Sequence, residues 1–139
     1  IQRGGILIDI TEIITYLEEN GLGEVEEIKK VKGAVIIKFY YDFDNDELAA
    51  ARSYANDESD FEAESDEWYS EYYIPYLKDI AIDNVEGICE DMIDEYEVGC
   101  KCKNVGIQKG NGEYFEFIAI ISEVLEDSEL EDILNEYRD

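Results

Sequence analysis

Ten carboxylates near the middle of the chain have the type and spacing for recognition chemistry. Glu64, Glu67 and Glu71, then Glu86, Glu90 and Asp94, recur every three or four residues, while Asp57, Glu58, Asp60 and Glu62 crowd into the stretch before them. Helical side chains four apart stand about 6 Å from one another, close to the roughly 6–7 Å between successive phosphates of a DNA strand. Two acidic stripes and an acidic loop can therefore occupy a nucleic-acid groove electrostatically. A single stripe of this kind is more often a solvated helix face. Three adjoining acidic features weaken that plainer reading.

Other chemistry has less support. The chain contains no His, which removes Ser-His-Asp and Cys-His arrangements and a common zinc ligand. Gly4-Gly5 and Gly110-Asn111-Gly112 do not form a phosphate-binding loop, so nucleotide binding has no motif. Asp42, Asp44 and Asp46 alternate like the opening of a calcium loop. Glu47 stands where that loop needs Gly, however, and Ser53 where it needs a bidentate Glu. These Asp residues read first as a turn and helix cap, then as a partner-facing acid cluster, and last as a Mg²⁺ site. Cys100 and Cys102 share one side of a strand, and Cys89 can join them if its helix packs there. A fourth zinc ligand is missing. Apolar packing is the first reading of the thiols, with redox or dimer contacts behind it, and nearby carboxylates should hold their pKa values up. No catalytic residue, metal or cofactor is assigned.

The whole chain amplifies the carboxylate pattern. Of 139 residues, 37 are Asp or Glu and 11 are Lys or Arg, for a net charge of -26. Residues 42–97 hold twenty acids and two bases, so most of the excess lies there. Such a surface repels phosphate backbones and anionic bilayers and attracts basic proteins. The expected partner is a basic nucleic-acid-binding protein, with no direct binding to nucleic acid or membrane.

With 45% hydrophobic and 12% aromatic residues, the composition is too apolar for a disordered acidic tail. One compact domain over residues 1–139 is expected, with its acidic surface in 42–97. The few cysteines and the absence of a signal-like opening or long apolar run point to the cytoplasm.

Positioning these charges requires helices on a sheet. ILIDI at residues 6–10 reads as a short opening strand. Thr11 caps a helix ending near Gly21, with Ile13, Ile14 and Leu17 facing inward. Val25–Val31 and Ala34–Tyr41 form a hairpin around Lys32-Gly33. Asp44 and Glu47 make a capping box for a helix reaching about Tyr54, followed by an acidic loop from Asn56 to Glu64.

From Ser65, Trp68, Tyr72, Tyr76 and Ile80 make an aromatic stripe at helical spacing, which Pro75 should kink or divide. A separate helix over Asn84–Tyr96 turns Val85, Ile88, Cys89, Met92 and Tyr96 inward and Glu86, Glu90 and Asp94 outward. A second hairpin, Gly99–Gln108 with Glu113–Ile121 around Lys109–Gly112, precedes a final helix capped by Ser122 or Ser128. The implied class is α+β, a small antiparallel sheet of two hairpins covered by several amphipathic acidic helices.

Together these features imply a non-enzymatic, DNA-mimicking inhibitor of a DNA-binding or defence protein such as a CRISPR or restriction nuclease. In surface character the chain resembles the small acidic mimics with which phages and mobile elements block such machinery; no motif of one named family carries the likeness. Three other readings stay open: an interaction or chaperone module for basic proteins, adaptation to high internal salt, and an Asp-based Mg²⁺-dependent enzyme. Eight Lys, three Arg and nineteen Ile, with a localised charge, fit salt adaptation poorly. A homodimer presenting a longer acidic surface also stays open.

Overall fold

The computed structural model describes residues 9–31, 33–107 and 114–137. Within them the chain folds as α1 (Ile10–Glu19), β1 (Leu22–Val31), β2 (Ala34–Asp42), α2 (Asn45–Glu58), α3 (Asp66–Trp68), a π-helical turn (Tyr69–Tyr73), α4 (Ile74–Tyr96), β3 (Gly99–Ile107), β4 (Tyr114–Ser122) and α5 (Asp127–Glu136). The α+β class and the two antiparallel hairpins are as expected. Most of the predicted opening strand and the tip of the second hairpin lie outside the described residues.

The sheet order is β1-β2-β4-β3, with every pair antiparallel. β2 and β4 join the hairpins in unbroken register from Ala34↔Ser122 to Asp42↔Tyr114. Both central strands carry apolar residues on both faces, because helices cover both sides. Ile37, Phe39, Phe115, Phe117, Ala119 and Ile121 face the core under α1, α2 and α4. Ala34, Ile36, Ile118 and Ile120 face a smaller core closed by Leu130 and Leu134 of α5. Register shifts interrupt edge strands β1 and β3, a feature that discourages edge-to-edge association.

The capping box forms as predicted: Asp44 accepts from the Glu47 backbone N–H at 2.8 Å, while the Glu47 carboxylate accepts from the Asp44 backbone N–H at 3.1 Å. α2 then runs past Tyr54 to Glu58, so Asn56–Glu58 are helical and the acidic loop is shorter than expected. Two other caps differ from expectation. Asp9 caps α1 by accepting from the Thr11 N–H at 3.0 Å. Glu126, with Glu129, caps α5.

Ser122 is unavailable to cap α5 because its hydroxyl has a tertiary role. It donates to the Gly33 carbonyl at 2.6 Å and accepts from the Val124 and Leu125 N–H groups at 3.0 Å each. The buried hydroxyl thereby ties the first hairpin to the turn entering α5. Ser122→Ala is expected to cost about 1–3 kcal/mol in urea unfolding, by stranding these backbone groups.

The largest departure lies around Pro75. Proline lacks an N–H, and in a regular helix its ring collides with the carbonyl four residues earlier. Here the preceding turn widens, and the Ile74 N–H bonds to the Tyr69 carbonyl five residues back. The helical backbone continues from Asp66 through Tyr96, so the predicted separate helix beginning at Asn84 is the second half of α4. The extra residue in the wide turn also rotates the inward face. Trp68, Tyr73, Leu77, Ala81, Val85, Cys89 and Met92 are buried, whereas Tyr72, Tyr76 and Ile80 of the expected stripe are only half-buried.

Candidate acidic recognition surface

α4 lies over the sheet with its inward stripe buried, which forces its polar residues outward. Asp79, Asp83, Glu86, Glu90 and Asp94 are all exposed along this helix. The rise from residue 79 to 94 is about 22 Å. Five carboxylates over that length approach the roughly six phosphates that one DNA strand carries over the same axial distance. Asp79 and Asp83 were missed because the sequence suggested a helix break between them and Glu86. Their own spacing, continued to Glu86, was the available signal.

The other predicted site residues surround the N-terminal approach to this ridge. Asp57 and Glu58 end α2, Asp60, Glu62 and Glu64 lie in the following loop, Glu67 is in α3, and Glu71 is in the π turn. All ten predicted residues are exposed. Glu64 accepts from Arg52 Nη1 at 3.1 Å. No described ion pair involves the other nine.

The described cations are concentrated elsewhere. Lys29, Lys30, Lys38, Lys101 and Lys103 lie on strands, while Arg52 and Lys78 lie on α2 and α4. This segregation leaves the helical layer strongly negative.

Two polar connections hold α2 in place. Tyr41 of β2 donates its hydroxyl to Glu47 Oε2 at 2.7 Å and accepts from Asn84 Nδ2 of α4 at 2.7 Å. Thus Glu47 closes its capping box with one oxygen and contacts the sheet with the other. Trp68 donates its indole N–H to Asn56 Oδ1 at 3.1 Å, linking α3 to the last turn of α2.

Burial first, then the hydrogen bond and negative charge of Glu47, push the Tyr41 hydroxyl above its ordinary pKa of 10.0. Because the folded-state value is raised, its stabilising contribution is fully present below pH 10 and declines as the unfolded chain begins to ionise. Tyr41→Phe is expected to lose about 1 kcal/mol at neutral pH. It should also make stability fall less steeply above pH 10, as measured by urea unfolding across that range.

The three cysteines do converge between α4 and β3. Cys89 of α4 lies within hydrogen-bonding reach of Cys100 and Cys102 of β3. The Cys100 bond chiefly raises the Cys89 pKa, and the bond to Cys89 followed by burial raises that of Cys102. All three thiols are free. Beside them, Lys78, Glu86, Cys102, Lys103 and Phe117 help line a cleft of about 260 Å³, below the ~300–1,000 Å³ of most small-molecule sites.

Asp44 is engaged by its helix cap, which competes with the Mg²⁺ reading. Among the described residues, no group of three or more His, Cys, Asp or Glu is placed to hold a metal ion. Nor is any described helix long and apolar enough to cross a membrane.

Comparisons with protein-family models, curated proteins and solved structures find no match.

Proposed function

We propose that this chain is a non-enzymatic, DNA-mimicking inhibitor whose acidic helical layer occupies the nucleic-acid-binding site of a basic DNA-binding or defence protein, such as a CRISPR or restriction nuclease. The observation carrying this reading is the exposed ridge Asp79–Asp83–Glu86–Glu90–Asp94, with no ion-pair partner among the described residues. A phosphate-binding protein offers the opposite charge at comparable spacing. The proposed compartment is the cytoplasm, which suits the three free thiols.

The concentration of twenty acids against two bases in residues 42–97 favours directed binding over general salt adaptation. The test is affinity capture from a cell extract at about 0.15 M salt, where distant exposed charges are screened, followed by elution with duplex DNA. One dominant DNA-binding protein released by DNA is the expected result. Capture of many unrelated basic proteins would instead favour a chaperone-like module, and capture of none would count against both.

A further inference from the structure

The acidic layer contains an aromatic cluster that a purely solvated surface would not require. Tyr54 of α2 and Phe61 of the following loop are 40% and 41% exposed. They join the half-buried Tyr72 of the π turn and Tyr76 of α4. The Tyr54 ring lies 4.9 Å from Tyr76 and 6.2 Å from Tyr72, while Phe61 lies 6.2 Å from Tyr72. Three chain segments therefore build one ring cluster. Asp57 and Glu58 stand one turn beyond Tyr54, Asp60 and Glu62 flank Phe61, and Glu71 precedes Tyr72.

A neighbouring interaction within the same chain shows what cation this combination can accept. The Arg52 guanidinium lies 5.2 Å from the Trp68 ring centre and 6.0 Å from that of Tyr73, while donating to Glu64 at 3.1 Å. Aromatic faces and a carboxylate thus hold one guanidinium together. Tyr54, Phe61, Tyr72 and Tyr76 offer the same chemical ingredients. Among the described residues, no cation lies over those four rings.

We propose that this aromatic cluster and its acidic rim dock arginine side chains of the partner in preference to lysines. The inference rests on the acidic-inhibitor reading for the partner's charge and adds which basic side chain is selected. Guanidinium is planar, weakly hydrated and able to stack on a ring while its N–H groups reach carboxylates; lysine ammonium is compact and strongly hydrated. Charge attracts both residues. The rings distinguish them.

The test titrates the full chain with fluorescently labelled octa-arginine and octa-lysine peptides at about 0.15 M salt. Octa-arginine is expected to bind roughly ten-fold more tightly. In the double variant Tyr54→Leu, Phe61→Leu, that preference should disappear while octa-lysine affinity is retained. Circular dichroism and urea unfolding identify a variant that remains folded. If it does not, Phe61→Leu alone, at the exposed loop position, is expected to reduce the preference. Equal binding of the two peptides by the parent would overturn arginine selection while leaving the acidic-inhibitor reading intact. A preference unchanged in the folded variant would remove the rings as its source. Binding of neither peptide would count against both proposals.

Discussion

Replacing Asp79, Asp83 and Asp94 with Asn, and Glu86 and Glu90 with Gln, is expected to weaken partner binding by about 70- to 5,000-fold. This follows if each lost charge pair contributes roughly 0.5–1 kcal/mol. The same variant should be more stable than the parent. Within the ridge, Asp79–Asp83, Glu86–Glu90 and Glu90–Asp94 are like-charged pairs four residues apart, and each destabilises a helix by about 0.2–0.5 kcal/mol. Relief of these repulsions predicts a melting temperature higher by a few degrees. Opposite changes in binding and stability would separate recognition from a folding defect. Thermal unfolding and titration with the captured partner measure both; unchanged binding by the folded variant would exclude the ridge from the interface.

The largest stability loss is expected for Trp68→Ala, at about 3–5 kcal/mol. Trp68 is fully buried, and its ring stacks on Tyr73 with centres 5.0 Å apart. It also bonds Asn56 at 3.1 Å and lies beneath the Arg52 guanidinium. Truncation therefore opens a cavity and removes the hydrogen bond that ties α3 to the end of α2. The damage should reach the acidic loop because Arg52 connects Trp68 to Glu64. Trp68→Phe retains a stacking ring but loses the indole donor, so a cost nearer 1–2 kcal/mol is expected. Urea unfolding followed by circular dichroism measures both variants; a loss below about 1 kcal/mol for the Ala variant would contradict the central packing role assigned to Trp68.

Local chemistry was the most legible part of this fold. Asp44 and Glu47 are three residues apart and satisfy each other's backbone groups, so their capping box could be read directly. The β-branched and aromatic content of Ala34–Tyr41 and the apolar periodicity in Val85–Met92 similarly revealed a strand and an inward helix face. Ser122 could not be placed by the same means. Its partner carbonyl belongs to Gly33, remote in sequence.

The π turn was obscured for another physical reason. A regular helical template steps from Trp68 to Tyr72, whereas the folded chain steps to Tyr73 before resuming four-residue intervals through Leu77, Ala81 and Val85. One extra residue exchanged the inner and outer aromatics. The expected helix start at Asn84 separately hid the continuity of α4 that adds Asp79 and Asp83 to the acidic ridge. All ten predicted site residues could be recognised as acidic, but their arrangement around one long helix required the tertiary structure.

The most direct test of DNA mimicry is the chain's affinity for its captured partner measured across increasing concentrations of duplex DNA carrying that partner's binding site. Mutually exclusive occupation predicts that the apparent Kd rises in proportion to free DNA once the DNA is in excess of its own Kd, with no ternary complex. An unchanged Kd and a stable complex containing partner, DNA and this chain would contradict the proposal that its acidic surface occupies the DNA site.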